Sequence, residues 1–202
     1  IPLGFENRSC CGKVQENNPT PPTADMPPGY ILKPVTFSSV TNIVADGAGS
    51  ITANFSGNDI ILKHSGASGT NVFRPRADWA VDLNAMGITA GMTVRGSYLV
   101  PRVHTATGNG RSILFTESWG TNTASYQVPV NQAVGAPIFT RYAFSDVPLE
   151  TQSIADFVAT LGGVTVADTA SSNGNKFSCE GSGGSNPLPV SGDFRYSAWL
   201  LV

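Results

Sequence analysis

Past residue 34 the chain is written in short apolar runs separated by turn residues, the cadence of an all-β domain. The runs fall at 35–44, 51–55, 59–64, 79–83, 92–103, 112–118, 125–130, 138–144, 164–167, 176–179 and 194–202. Between them stand Asp46-Gly47, Gly57-Asn58, Gly108-Asn109-Gly110 and Asn173-Gly174, where glycine and asparagine tolerate the positive φ of tight turns. Within MTVRGSYLV strict alternation puts Met92, Val94, Tyr98 and Val100 on one face and Thr93, Arg95 and Ser97 on the other, so one buried face is expected. In the last run Phe194, Tyr196, Ala198, Leu200 and Val202 share a face, and Trp199 and Leu201 make the opposite face apolar too. A strand apolar on both sides is either central in its sheet or part of a subunit interface.

One segment breaks the rhythm. Ile154, Phe157, Val158 and Leu161 recur at helical spacing, with Ser153 as N-cap and Gly162 as stop, which predicts a short helix packed on one end of a sandwich. The stretch 77–86 fits strand or helix, because Trp79, Leu83 and Met86 also match a helical face.

The first 34 residues have a different character. They hold seven of the fourteen prolines, six of them between 17 and 34, so this part is an extended arm and residues 35–202 form the sandwich domain. Leu3 and Phe5 at its start, and Tyr30, Ile31 and Leu32 at its end, are apolar anchors suited to a neighbouring subunit, although a plain linker would read the same way.

Composition narrows the function. Of 202 residues 13% are charged, about half the ~25% usual for soluble proteins, with Gly, Ser, Thr and Asn in their place. This is a surface type expected of virion or extracellular proteins. A net charge of −2 and a pI near 5.6 offer no basic face for nucleic acid, and no apolar run reaches the ~20 residues that span a bilayer. Arg74 and Arg76, around Pro75, read as solvated loop residues. Three cysteines, Cys10, Cys11 and Cys179, leave open a tail-to-body disulfide, an intersubunit bridge or reduced thiols.

Motifs for chemistry are sparse. His64 and His104 lack the neighbours of a catalytic triad or zinc site and read as strand histidines, and Asp46 and Asp59 as turn residues beside glycine. No motif calls for a cofactor or a metal. A glycosidase would need two carboxylates on one cleft, for which Asp78, Asp82 and Glu117 are the candidates. Sugar binding would use exposed aromatic faces, and the candidates are Trp119, Tyr126 and Trp79, against the alternative that each tryptophan fills the core.

The run DWAVDLNAMGITAGMTVRGSYLV, followed by RSILFTES and PIFTRYAFSDVP, resembles jelly-roll domains of the carbohydrate-binding-module type, over residues 78–148. Such domains occur in secreted glycosidases and in phage tail and virion proteins. The resemblance implies an antiparallel jelly-roll-like β-sandwich and a bias toward surface attachment, and the arm and the 153–161 helix fall outside its pattern. The leading expectation is a non-enzymatic bacteriophage structural protein for capsid decoration or a tail or fibre. It would form a trimer or higher homo-oligomer through the anchors and through Trp199 and Leu201, with other virion proteins and a glycan as further partners. The alternative expectation is a secreted carbohydrate-binding module.

Overall fold

The computed structural model describes residues 29–45, 49–65, 76–107, 113–120, 122–128, 131–141, 163–166, 169, 174–180 and 191–202. Those residues form thirteen strands: β1 (Leu32–Pro34), β2 (Phe37–Val44), β3 (Ser50–Ser56), β4 (Asp59–Ser65), β5 (Arg76–Val81), β6 (Thr93–Val94), β7 (Gly96–Thr107), β8 (Ile113–Trp119), β9 (Asn122–Val128), β10 (Ile138–Arg141), β11 (Val164–Thr165), β12 (Lys176–Glu180) and β13 (Ser191–Leu201). Sheet A runs β10-β7-β13-β4-β3 with β1 also on β13, sheet B runs β2-β5-β12-β8-β9, and β6 pairs with β11. All pairings are antiparallel. The two large sheets pack as a β-sandwich, as the turn-punctuated apolar runs led us to expect. No helix occurs among the described residues, and the helix expected over 153–161 lies outside them.

Alternation decides which residues make the core. From sheet A come Ile60 and Leu62 of β4, Leu99 of β7, and Phe194, Tyr196, Ala198 and Leu200 of β13; from sheet B come Ala77, Trp79 and Val81 of β5, Phe115 and Trp119 of β8, and Phe177 and Cys179 of β12. Fully burying each large side chain contributes about 1.5–3 kcal/mol. Aromatic rings join the layers, Phe37 of β2 lying 5.9 Å from Phe55 of β3 and Phe115 of β8 lying 5.4 Å from Tyr196 of β13.

The expected single buried face of 92–100 is corrected. The run divides at Arg95: β6 pairs with β11, whereas β7 enters sheet A. Val94 and Leu99 face the core, and Tyr98 and Val100 lie on the other face of β7, yet all four are buried. A second irregularity follows, since Arg195 pairs with Val103 but Tyr196 with Pro101, leaving Arg102 as the extra residue of a bulge. Proline lacks a donor for the ladder, and a bulge is where a strand interior tolerates one. The 77–86 ambiguity resolves into β5 and a turn in which Asp82 Oδ1 accepts from the Ala85 amide at 3.0 Å.

β13 is a central strand along its whole length. β7 flanks one side from Ser191 to Leu201, while the other side is held by β4 as far as Ser197 and then by β1 from Trp199. Ala198 joins those two partners: its carbonyl accepts from the Val35 amide and from Asn58 Nδ2, both at 3.0 Å, and its amide donates to the Asn58 carbonyl at 2.9 Å.

Near the start of β13, Gly192 lies beneath the Phe194 ring. A Cβ there would stand 2.1 Å from that ring and 2.9 Å from His64 Nε2. Phe194 is fully buried and stacked on His64 with centroids 5.6 Å apart, so neither ring has room to retreat. Gly192→Ala should therefore destabilise the fold by about 2 kcal/mol or more, read as a lower urea midpoint, whereas an unchanged midpoint would contradict this packing.

Candidate functional site

The two tryptophan candidates for ligand binding are not displayed. Trp79 and Trp119 are 0% and 3% exposed. The Trp79 indole donates to the Asn54 carbonyl at 2.7 Å, and Trp119 packs edge-on against Phe177 at 5.8 Å. Their place on the inward parity of β5 and β8 is the physical reason: an indole between two sheets contributes more to folding than one in water. Tyr126 lies on β9, in register with Phe115.

The carboxylate candidates do not converge on one cleft. Asp78 belongs to the outer face of sheet B, as its neighbours Ala77 and Trp79 face inward. Glu117 points the other way, into the sandwich, where it accepts from Ser97 Oγ of sheet A at 2.5 Å. Asp82 is committed to the turn after β5. A paired-carboxylate glycosidase centre is therefore not assembled from these three residues.

The histidines gather at one end of the core. His64 stacks on Phe194, and the other side of this cluster is His104, 5.1 Å from the Phe194 ring and hydrogen-bonded through Nδ1 to the Tyr196 hydroxyl at 2.5 Å. Burial lowers the His64 pKa to about 4. Burial, and then the neighbouring Cys179, hold the Tyr196 hydroxyl well above its ordinary range. Cys179 itself is a core residue in no disulfide, while Cys10 and Cys11 lie outside the described residues. Asp59, expected as a turn residue, is instead buried: Arg195 Nε donates to it at 2.5 Å, and Ser197 Oγ donates to its other oxygen.

Of the assembly candidates, Trp199 and Leu201 are buried within the chain on the outer face of sheet A, Trp199 packing edge-on against Tyr98 with centroids 5.5 Å apart. Leu3 and Phe5 lie outside the described residues. The end of the expected arm, by contrast, is part of sheet A. Leu32 pairs with Leu201, and Ile31 and Val202 exchange two backbone hydrogen bonds at 3.0 Å each. Leu32 is half-buried, whereas the Ile31 side chain remains 59% exposed. Next to it, Tyr30 lies under the Arg95 guanidinium at 5.9 Å, beside a cavity of about 380 Å³ that Met92, Thr93 and Val202 also line.

A second concavity, of about 330 Å³, opens on the outer face of sheet B around Asp78. Asp78 Oδ2 accepts from Asn42 Nδ2 at 2.7 Å and from Lys176 Nζ at 2.8 Å, and Arg76 Nε lies 3.4 Å from Oδ1. Burial raises the pKa of this carboxyl, but the hydrogen bonds from Lys176 and Asn42 and the charge of Lys176 outweigh it, so the net displacement is downward and Asp78 is ionised at neutral pH. Arg76 is thus not a loop residue but the first residue of β5. Asn42 sits in a bulge, where Thr41 pairs with Asp78 and Val44 with Arg76, and its φ of 51° is left-handed. Sequence reasoning missed this group because its members come from three strands. The signal within reach was Arg76-x-Asp78, two charges on the same face of a strand.

No protein-family model matches the chain, and no curated protein matches it. Among the described residues no group of three His, Cys, Asp or Glu side chains is placed to hold a metal, and no helix is long and apolar enough to cross a membrane.

Two outcomes test this geometry. His64 is neutral in the fold down to about pH 4 but takes up a proton near 6.5 when unfolded, so the unfolded state binds more protons between those values. Stability should be fully present above pH 6.5 and fall by on the order of 2 kcal/mol toward pH 4, and His64→Gln should flatten that interval in urea titrations. At Asn42, both Asn42→Gly and Asn42→Ala lose the bond to Asp78, but only alanine strains the left-handed backbone. The glycine variant should be the more stable by about 1 kcal/mol in thermal unfolding.

Proposed function

We propose that this chain is a non-enzymatic structural protein of a virion, a bacteriophage capsid-decoration, tail or fibre component, in which a jelly-roll type sandwich serves as scaffold and the N-terminal arm as connector. It works by association with copies of itself, as a trimer or higher oligomer, and with other virion proteins. The observation that carries this reading is Ile31: both its backbone groups are bonded to Val202, yet its side chain is 59% exposed. An apolar side chain on a fixed backbone loses little conformational freedom when a partner covers it. The proline-rich stretch that precedes it suits the same use, because its restricted backbone also lowers the ordering cost. The low share of charge, 13%, fits surfaces that are covered in an assembly.

The alternative, a secreted carbohydrate-binding module working through exposed aromatics, loses its main support with the burial of Trp79 and Trp119.

Two truncations separate assembly from folding. Removing residues 1–28 spares every backbone bond between Ile31 and Val202 and should leave a folded monomer, while the full chain sediments as a trimer or larger. Removing residues 1–34 also deletes β1 and should lower the thermal midpoint by several degrees. A full chain that is monomeric at micromolar concentration would overturn the proposal.

A further inference from the structure

Asp78 stands between two side chains that can react with each other. It belongs to β5, the strand between β2 and β12, and is reached by Asn42 from one side and by Lys176 from the other. Both donate to the same oxygen, Asn42 Nδ2 at 2.7 Å and Lys176 Nζ at 2.8 Å from Asp78 Oδ2. The two nitrogens are therefore no farther apart than those distances laid end to end. A primary amine, a carboxamide and a carboxylate touching both are what amide exchange requires: a nucleophile, an electrophile and a carrier for the proton.

The backbone is bent to make this contact. Thr41 is the register partner of Asp78 and shares its outer face, so in a regular strand the next residue, Asn42, would point to the core. The bulge between Thr41 and Val44 and the left-handed φ of 51° turn the Asn42 amide outward to Asp78 instead. Arg76 Nε lies against the other carboxylate oxygen, 3.4 Å from Oδ1, which leaves Oδ2 to Asn42 and Lys176. Asp78 is 1% exposed, so water competes little for that oxygen.

We propose that Asn42 and Lys176 become joined by an intramolecular isopeptide bond, Lys176 Nζ to Asn42 Cγ, with Asp78 as the catalytic residue that moves the proton. The Asp78 carboxylate takes a proton from the Lys176 ammonium, and the freed lone pair attacks Asn42 Cγ. Asp78 then hands that proton to Asn42 Nδ2, to which it is already hydrogen-bonded. The bond between Cγ and Nδ2 breaks with its electrons going to the nitrogen, which leaves as ammonia. Nζ gives up a second proton, so the products are a secondary amide and an ammonium ion, Asp78 is again a carboxylate, and nothing is oxidised or reduced. Arg76 remains beside the buried charge after the lysine has lost its own. Asn42 and Lys176 both line the concavity of about 330 Å³, through which the ammonia departs. The reaction happens once per chain, so a slow step suffices, and holding the amine against the amide replaces a bimolecular encounter. The bond ties the edge strand β2 to β12 across β5. It lies on sheet B and the arm root on sheet A, so it stands or falls independently of the assembly proposal.

Intact-mass spectrometry of the purified full chain, followed by peptide mapping, tests the bond. After a day at neutral pH the chain should weigh about 17 Da less than its sequence, the mass of one ammonia, and proteolysis should yield a branched peptide joining Asn42 to Lys176. The branched peptide separates this bond from cyclisation of Asn42 onto the amide of Ile43, which also releases ammonia. Lys176→Arg keeps a cation on Asp78 but has no amine to offer, and should show the full sequence mass with the fold retained by circular dichroism. Asp78→Asn should slow the loss by about a hundredfold or more. A wild-type chain that keeps its full mass, a loss mapped to any other pair of residues, a loss that persists in Lys176→Arg, or a folded Asp78→Asn variant that reacts as fast as the wild type would each overturn the proposal.

Discussion

Sheet A depends on β13 being hydrogen-bonded along both edges. A strand with apolar residues on both faces is soluble only when its faces are covered and its backbone groups are paired. β7 meets the second need along one edge, and along the other β4 and β1 share the length, meeting at Ala198. Neither of those two is long enough alone. The side chain of Asn58 bridges the junction, taking the place that a continuous strand would fill. That arrangement explains why the last part of the expected arm belongs to the body; Trp199 and Leu201, on the outer face, are buried as well.

The polar side chains that are buried follow the same geometry. Asp59, Arg195 and Ser197 form a connected group on the outer face of sheet A, so the charge on the carboxylate is matched where the central strand is covered on both sides. Between the sheets, Ser97 and Glu117 join the two layers by a directional bond, which fixes their relative position in a way that apolar contacts alone do not. His64 and His104 close one end of the core with rings instead of aliphatic side chains. Sheet B spends its buried carboxylate differently, on an open concavity whose neighbouring strand carries two bulges.

Strand positions were legible because glycine and asparagine mark the turns and because apolar alternation is a local property; β3, β4, β8 and β12 lie within a residue or two of where the pattern puts them. Faces were legible only between irregularities. Alternation through 92–100 misassigned Tyr98 because the chain changes sheets at Arg95, and nothing in the run MTVRGSYLV marks that break except a glycine one residue later. The candidate site was the least legible. Trp79 and Trp119 look like ligand platforms or core residues from sequence alike, and parity settles it only once the inward face is known. Asn42, Arg76, Asp78 and Lys176 meet through pairings between β2, β5 and β12, which no local pattern encodes.

The junction at Ala198 has a consequence for the order in which the fold can form. The bond from Asn58 spans 140 residues of chain, and β1, β4 and β7 all wait for the same late strand. During synthesis, β4 and β7 emerge with one edge each open and apolar, and no earlier strand can fill the gap between them. Sheet A is therefore completed in a single late event, governed by long-range contacts that form slowly. Until β13 leaves the ribosome, the nascent chain carries the same unpaired edges that the finished protein conceals.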